Sequence, residues 1–394
     1  MNAQEIIEKI IALAADDERY EELFEMNVSV GDEDLFDAAV EVFGGWDGAL
    51  IAALRELGKN KKSSVTARDD GASESARRIE SIVERRVTDS FGHASFVMTS
   101  TGRFCKMHGP EIEVAESPQP IEGPEATGHV RGIRYVGDPE AVFLFSNRGR
   151  YFGIDVRLIP NWPGDERRSI RDVLFLEQGE EIAFTLARQA ISGRIIHITR
   201  QAKGKATDAD ELGRLIDKTG REAFLLNDGD EPCAVLAGHH KTTVFCASAL
   251  GQGIQFDAYD MRSMGRKAVG VNVMKLAANN DELVGAFLGE RVKQFAVITE
   301  QGYGKRLDLD EFRPQGRGGA GMQLMRLNPN DRVAAIAPCD PHDDLALITN
   351  LGRVHRMPTP DFQLLGRAAK GTRVTELADG EHIIGLTALP CGSD

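Results

Sequence analysis

The chain has 394 residues, of which 42% are hydrophobic and 27% are charged, and this balance excludes an intrinsically disordered protein. No apolar run reaches the roughly 18 residues that a membrane-spanning helix needs, and the acidic start MNAQEIIEKI does not have the composition of a secretory signal. The five cysteines form no C-x-x-C pair, which argues against a disulfide framework or a cysteine-rich zinc site. We therefore expect a cytoplasmic protein.

The net charge of −14 is unevenly distributed along the chain. Residues 1–50 hold 14 acidic and 2 basic side chains, whereas residues 51–90 hold 7 acidic and 9 basic ones. The remaining residues, from 91 onward, hold 40 acidic and 36 basic side chains and are nearly neutral. A nearly neutral segment of this length can carry a basic surface on one side and an acidic surface on the other.

The first ninety residues are predicted to be mainly helical. Apolar residues recur at helical spacing in residues 3–25 and 33–57. We therefore expect residues 1–60 to form an acidic helical N-terminal region. Residues 61–90 are predicted to form a polar linker followed by a basic amphipathic helix.

An internal repeat dominates the rest of the chain. Three C-terminal segments align without a gap on the turn glycines Gly251, Gly302 and Gly352. In each segment a Gly-Arg pair follows 14 and 15 residues later, another glycine at 19 and a leucine at 25. Similar openings place further turn glycines at Gly102, Gly149 and Gly204. Six units of about 50 residues therefore account for residues 91–394.

Each unit has the pattern of β-strands. Apolar, β-branched runs such as FAVIT and LALIT are followed by a glycine turn and then by alternation, as in LDLDEF. Short strands at even spacing, with one glycine motif per unit, are typical of a closed radial array. The sequence predicts an all-β, six-bladed propeller over residues 91–394, preceded by the small α-helical N-terminal region.

Several motifs resemble a known family. The stretch GYGKR at 302–306, DEF at 310–312 and the Gly-Arg…Gly pattern are similar to the repeats of the C-terminal domains of DNA gyrase A and of its topoisomerase IV counterpart. This resemblance implies a β-pinwheel, a propeller with exchanged strands, that wraps duplex DNA around its outer edge. The family's Gln-Arg-Arg-Gly-Gly-Lys-Gly box is matched by a degenerate copy that keeps one of three basic positions and consists of Gln315, Gly316, Arg317, Gly318, Gly319, Ala320 and Gly321.

Basic residues recur near the turn glycines and near the Gly-Arg pairs. Equivalent positions in a radial array lie at similar height around its perimeter, so these bases predict a curved positive track for a bent phosphate backbone. The alternative is that they are solvated charges on polar turns. The predicted DNA-binding residues are Arg103, Lys106, Arg148, Arg150, Lys203, Lys205, Arg266, Lys267, Lys305, Arg306, Arg317, Arg353, Arg356, Arg367 and Lys370.

The sequence offers no catalytic constellation. The run Gly316–Gly321 matches G-x-G-x-x-G, but the strand-like MQLMRL follows it, where a dinucleotide site needs a helix. His239 and His240, near Cys233 and Cys246, fit no zinc pattern. No nucleophile–base pair is evident. We expect a protein that is not an enzyme and has no cofactor and no metal.

The leading hypothesis is a nucleoid-associated or topoisomerase-accessory protein that wraps or bends double-stranded DNA without sequence preference. Its N-terminal helical region is expected to offer a surface to a topoisomerase or another protein partner. The alternative is a protein-interaction scaffold, because propellers host many functions. A third hypothesis combines the two, with the acidic residues 1–50 competing with DNA for the positive track.

Overall fold

The computed structural model describes residues 2–15, 94–99, 104–108, 120–121, 130–137, 141–160, 169–188, 193–212, 217–238 and 241–389, together with the isolated positions 35, 38, 39, 42, 49, 53, 78, 79 and 191. The chain divides into two units, one made of Met1–Gly92 with Arg214–Ile216 and the other of His93–Gly213 with Asp217–Asp394. Within the described ranges, no helix is long and apolar enough to cross a membrane.

The first unit contains helix α1, Ala3–Ala15. Asn2 begins it with a reciprocal cap: the Glu5 backbone N–H donates to Asn2 Oδ1 at 3.0 Å, and the Asn2 N–H donates to a Glu5 carboxylate oxygen at 2.9 Å. Its apolar face is buried along Ile6, Ile7, Ile10 and Ala14. This helix lies inside the predicted helical stretch 3–25, whose remaining residues 16–25 lie outside the described residues, as does most of the predicted linker and basic helix at 61–90.

The described residues of the second unit form six antiparallel sheets. The first is three-stranded, with strand order β2 (Phe104–His108), β1 (Ala94–Thr99), β4 (Val130–Gly137). The other five have four strands and are numbered here as blades in chain order. Blade 1 has the order β10 (Asp217–Glu222), β6 (Arg150–Asp155), β5 (Ala141–Ser146), β7 (Ile182–Ala187). Blade 2 has the order β11 (Pro232–Gly238), β8 (Arg194–Thr199), β9 (Lys203–Asp208), β14 (Val271–Asn272).

The C-terminal blades repeat this arrangement. Blade 3 has the order β15 (Leu283–Leu288), β12 (Thr243–Ser248), β13 (Gln252–Asp257), β18 (Met322–Gln323). Blade 4 has the order β19 (Val333–Cys339), β16 (Gln294–Thr299), β17 (Tyr303–Asp308), β22 (Thr372–Arg373). Blade 5 has the order β23 (Ile383–Leu389), β20 (Asp344–Thr349), β21 (Val354–Pro358), β3 (Pro120–Ile121).

The outermost strand of every blade comes from another repeat. Strand β14 follows β13 in the chain but pairs with β9, and β18 and β22 are displaced by one blade in the same way. The last blade takes its outer strand from the first repeat, since β3 pairs with β21. The inner strands β4, β7, β11, β15, β19 and β23 contact one another in turn, and β23 also contacts β4. The sheets therefore form a closed ring held by strand exchange.

The prediction of six blades is wrong in number, because the described residues form five complete blades. In this fold a blade is completed only when another repeat supplies its fourth strand. The segment after β6 is where such a strand would arise for the first sheet, but its described residues form 3-10 turns at Val156–Leu158 and Ile170–Asp172. It is linked to β2 by the Lys106 backbone N–H, which donates to the Pro160 carbonyl at 2.8 Å.

The cores lie between neighbouring blades, so the faces of a blade are packed and not solvated. Between blades 3 and 4, the rings of Phe245, Phe287, Phe295 and Phe312 have contacting centroids 4.8 to 5.8 Å apart. Burying an aromatic side chain of this size contributes about 2 kcal/mol. Packing on both faces means that a strand residue is buried whichever way it points.

The predicted turn glycines are confirmed at four positions. Gly149, Gly251, Gly302 and Gly352 have φ between +74° and +80°, the left-handed region that glycine adopts at little cost. Gly102 lies outside the described residues. The assignment of Gly204 as a turn glycine is wrong: Ala202 takes that place with φ +57°, and Gly204 lies in β9. A Cβ on Gly204 would come within 2.5 Å of Val273, so this glycine permits close packing.

A buried carboxylate lies near the turn of each blade, and in blades 2 to 4 an aspartate in this place accepts from a backbone N–H group of the turn. In blade 4, Asp331 Oδ1 accepts from the backbone N–H groups of Gln301 at 3.1 Å and Arg332 at 2.9 Å. The acid stands two residues before the inner strand and follows a glycine or asparagine in every blade. The sequence analysis missed this repeat, which consists of Glu180, Asp230, Asp281, Asp331 and Glu381.

Gly270 is predicted to be essential for strand exchange. It has φ +96°, and a Cβ there would lie 2.4 Å from the Gly204 carbonyl oxygen on the strand that receives β14. Gly270→Ala should therefore lower the free energy of unfolding by about 2 kcal/mol. Gly265→Ala is the matched control, since a Cβ there meets nothing within 4 Å. Urea unfolding of both variants checks this, and equal stabilities would contradict it.

Candidate nucleic-acid interface

The outer edge of the ring is built from exchange segments, which run from the third strand of one blade to the strand donated to the preceding blade. Three are described in full: residues 258–272, 309–323 and 359–373. Each lies along the third strand of the preceding blade, as shown by the parallel bridges Ala206 to Ser263, Phe256 to Gln315 and Arg306 to Leu364. These segments are called the rim below, and they carry the Gly-Arg pairs that the sequence repeats.

Lys305 is fully buried and belongs to the framework of the rim. Its ammonium group donates to the carbonyl oxygens of Gly366 at 2.8 Å, Arg367 at 3.0 Å and Ala369 at 3.0 Å. Desolvation lowers the pKa of this lysine to about 8, an effect that Glu311 opposes. The side chain fixes a loop of the exchange segment and does not present its charge to solvent.

Two more predicted contacts are buried in the same manner. Lys205 Nζ donates to the carbonyls of Gly265 and Arg266, both at 2.8 Å, and desolvation lowers its pKa to about 8. Lys106 Nζ donates to the Val156 carbonyl at 3.0 Å. These lysines tie the segment from the next repeat to the strand that receives it.

Several predicted bases are paired with carboxylates. Arg150 lies 2.6 Å from Glu180, and Arg353 lies 2.7 Å from Glu381, with both carboxylates fully buried. Each pair joins the buried glutamate near the turn of a blade to an arginine at or just before the start of the strand that follows the turn. Pairing with an acid reduces what a base adds to a positive surface. The other pairs are Arg148 with Glu177, Arg356 with Asp344, Arg367 with Glu311 and Lys267 with Glu222.

Two arginines hold neighbouring segments through neutral partners. Arg306 Nε donates to the Phe362 carbonyl at 2.6 Å, and its Nη1 donates to Gln294 Oε1 at 2.8 Å. Arg266 Nη1 lies 3.3 Å from the Tyr151 hydroxyl. Both guanidinium groups therefore contribute to the contact between an exchange segment and a blade.

The remaining predicted bases keep their charge near the outer surface. Lys203 Nζ donates to Asn272 Oδ1 at 2.7 Å, and Arg317 Nη1 donates to the Asn272 carbonyl, also at 2.7 Å. Lys370 Nζ lies 4.6 Å from the centroid of the Tyr303 ring. Across the described ranges, none of these three forms an ion pair with a carboxylate. Arg103 lies outside the described residues.

A basic patch surrounds Tyr303 on the outer edge of blade 4. The Arg373 guanidinium lies 5.0 Å from the ring centroid, and its Nη2 donates to the phenol oxygen at 3.3 Å. This hydrogen bond and the nearby positive charges of Arg373 and Lys370 lower the pKa of the phenol. The patch combines cations with a half-buried aromatic ring, and cations beside aromatic rings are found where proteins contact nucleic acids.

The degenerate box is part of an exchange segment. The Gln315 backbone N–H donates to the Gln255 carbonyl at 2.7 Å, and the Gly318 N–H donates to the Val273 carbonyl at 2.9 Å. Gly321 has φ +75°, and a Cβ there would lie 2.6 Å from the Gly253 carbonyl. The box therefore closes a tight loop against blade 3, and Arg317 is its one charged residue.

Sequence reasoning missed a cleft next to Arg317. The cleft has a volume of about 850 Å³ and is lined by Arg194, Tyr259, Asp260, Met261, Arg262, Ser263 and Arg317. Apart from Arg317, these residues were not among the bases aligned on the glycines. One difference between the repeats could have revealed the cleft: the two flanking repeats have an Asp-Glu pair where this repeat has Tyr259 and Asp260.

Metal-ligating side chains are not clustered in the part of the chain that the structure describes. There, no group of three His, Cys, Asp or Glu side chains is placed to hold a metal. Cys246 is buried, and burial raises the pKa of its thiol. His239 and His240 lie outside the described residues.

The closed ring, the exchanged outer strands and the glycine-rich rim loops define the class of protein as a β-pinwheel. Residues 242–289, 293–340 and 343–390 match the family described as "DNA gyrase C-terminal domain, beta-propeller". Blades 3 to 5 of the chain are accordingly similar in sequence to the gyrase A C-terminal domain.

Known proteins with related sequences include the DNA gyrase A chains of several bacteria. The chain from Aminobacterium colombiense is 29% identical over 247 residues, which are 61% of this protein and 30% of that one. The chain from Salmonella typhimurium is 30% identical over 251 residues, 63% of this protein and 28% of that one. The matched region therefore spans about 30% of the length of these relatives.

Solved structures show the same fold. The DNA gyrase A C-terminal domain superposes with a TM-score of 0.65 at 19% identity, covering 75% of this chain and 99% of that one. The C-terminal domain of DNA topoisomerase IV superposes with a TM-score of 0.59 at 18% identity, covering 75% of this chain and 93% of that one.

Proposed function

We propose that this protein binds double-stranded DNA along its rim and bends or wraps it, without catalysis and without sequence preference. The observation that carries the proposal is a rim with one Gly-Arg pair per exchange segment, in a ring whose repeats match the gyrase C-terminal domain family. The contact set proposed for phosphate is narrower than the full series of bases and consists of Lys203, Arg317 and Lys370, with Arg266 and Lys267 beside them.

A nucleoid-associated or topoisomerase-accessory role follows from this proposal, with the helical N-terminal region offering a surface to a protein partner. The many bases paired with carboxylates favour a second candidate, a protein-interaction scaffold, since they reduce the positive charge on the ring. The two functions differ in their dependence on salt, because only phosphate binding releases condensed counterions.

Removing two rim charges should weaken the salt dependence of DNA binding. Arg317→Ala combined with Lys370→Ala removes two bases that lack a carboxylate partner among the described residues. The slope of log K against log salt should become less negative by about 1.8, measured by fluorescence anisotropy between about 50 and 200 mM salt. Lys241→Ala, which removes one positive charge, is the control and should leave the slope unchanged, since Lys241 is exposed in the connection between β11 and β12 and away from the rim. A wild-type slope near zero would favour the scaffold.

A further inference from the structure

The cleft beside Arg317 brings together side chains from three successive repeats. Arg194 begins β8, Tyr259 and Arg262 belong to the next exchange segment, and Arg317 belongs to the one after it. The floor includes Met261, which is buried and whose carbonyl accepts from the Arg194 guanidinium. The cleft therefore lies on the rim where blade 2 meets blade 3, a place called here the step between these two blades.

Arg317 differs from its counterpart in the next repeat in how its charge is balanced. Arg367 has Glu311 beside it, with 3.8 Å between Nε and Oε2, and its backbone N–H donates to the same oxygen at 3.1 Å. At the cleft the position of Glu311 is taken by the shorter Asp260. Arg317 Nε donates to the backbone carbonyl of Asp260 at 3.2 Å and not to its carboxylate. The guanidinium is thus without a carboxylate partner in the described structure.

Arg262 and Tyr259 also distinguish the cleft from the equivalent part of the flanking repeats. The structure gives Arg262 no ion pair with any described carboxylate, and its backbone carbonyl anchors the segment to Ala206. Tyr259 is 73% exposed and stands where the flanking repeats have Asp210 and Asp310. The fold uses the backbone N–H of Tyr259 as a donor but leaves its ring in solvent.

The acids at the cleft do not cancel its charge. Asp260 is the one carboxylate among the lining residues, against the three arginines. Asp208 lies next to the cleft and accepts from the Ser263 hydroxyl at 2.8 Å. Guanidinium groups bind phosphate oxygens through charge-assisted hydrogen bonds, and an exposed aromatic ring packs on sugars and bases. This combination suits a phosphodiester better than an acidic side chain.

We propose that this cleft anchors duplex DNA: a backbone phosphate binds between Arg262 and Arg317, and the Tyr259 ring packs against the adjacent sugar. Binding is then concentrated at the step between blades 2 and 3 and is not spread evenly around the rim. This inference rests on the proposed function and adds to it a defined point of attachment. At the equivalent step between blades 3 and 4, the pair Asp310 and Glu311 disfavours a second anchor.

Exchanging the two positions between repeats tests the anchor. The double variant Tyr259→Asp, Asp260→Glu installs the Asp-Glu pair of the flanking repeats, a sequence that this fold already accommodates. It should weaken binding of a duplex of about 40 base pairs by about tenfold near 100 mM salt, because a carboxylate then neutralises Arg317. The mirror variant Asp310→Tyr, Glu311→Asp is the matched control and should bind at least as tightly as the wild type.

A second variant separates the loss of DNA binding from a folding defect. Arg262→Ala keeps the backbone contact to Ala206 and should weaken DNA binding by about fivefold with an unchanged melting temperature. Binding within twofold of the wild type for both cleft variants would overturn the anchor while leaving the proposed function intact. Failure of the wild type to bind DNA would overturn both.

The source of the phosphate is tested with small probes. Inorganic phosphate and dAMP should compete with the duplex only at millimolar concentration, since each offers a single anion without a continuous backbone. Competition by either probe at the concentration of the duplex itself would show a site for a free phosphate and would overturn the assignment to DNA.

Discussion

Lys305→Met should lower the free energy of unfolding by about 3 kcal/mol, because it removes the charge-assisted hydrogen bonds of a buried ammonium group to the neighbouring loop. The wild-type ammonium group donates to the carbonyls of Gly366, Arg367 and Ala369, in the loop that carries the last Gly-Arg pair. Methionine has a similar length and apolar stem, so the variant removes the donor and not the packing. Urea unfolding at neutral pH measures the effect.

Lys203→Met is the matched control for this prediction. Lys203 lies at the start of β9, is half-buried and makes one hydrogen bond to the Asn272 side chain. Its loss should cost well under 1 kcal/mol. Ile254 occupies the place of Lys305 in blade 3, and the loop beside it contains the bond from the Gly319 N–H to the Gly316 carbonyl, which corresponds to the bond from the Ala369 N–H to the Gly366 carbonyl in the last loop. Similar stability of the two methionine variants would mean that the last loop does not depend on the hydrogen bonds from Lys305.

His197→Phe should make the protein less sensitive to acid. The imidazole is fully buried between Phe145 and Phe224, with ring centroids 5.7 and 4.7 Å away. Burial lowers its pKa to about 3, and the charge of Lys205 acts in the same direction. The unfolded chain takes up a proton near pH 6.5 whereas the folded chain does not, so stability is full above pH 6.5 and falls as the pH drops toward 3.

The size of this effect follows from the pH interval. Each pH unit below 6.5 costs about 1.4 kcal/mol, so His197 should account for about 2 kcal/mol of lost stability near pH 5. The free energy of unfolding is measured at about pH 7.5 and pH 5, and the loss between them should be smaller by this amount in His197→Phe. His382→Gln changes an exposed histidine and should leave the loss unchanged. Equal losses in all three proteins would contradict the prediction.

The sequence was sufficient to predict the repeat and its turns. Glycines needed at positive φ leave a strong local signal, and Gly251, Gly302 and Gly352 were found from it. The exception, Ala202, shows why the signal can mislead: alanine adopts φ +57° there, and the nearest glycine in the sequence was taken instead. Strand exchange left no such signal, because a short outer strand such as β14 has the same composition whichever blade receives it.

The sequence alone could not distinguish the buried basic residues from those at the surface. In most β-proteins a residue on one face of a strand is solvated, so a lysine in a strand is expected at the surface. Here both faces of a blade pack on neighbours, and Lys205 and Lys305 are buried within strands. Only the position relative to an exchange segment separates them from Lys203 and Arg317. That position became visible once the pairing of β9 with β14 was known.

The pairing of β3 with β21 also sets a condition on biosynthesis. Residues 120–121 must wait for residues 354–355 before they acquire a partner. At ordinary rates of translation the ribosome needs roughly 10–50 s to make the chain between them. During that interval the nascent polypeptide holds a ring that is open at one end. A chaperone that shields sheet edges should therefore act on this protein late, when its final repeat leaves the exit tunnel.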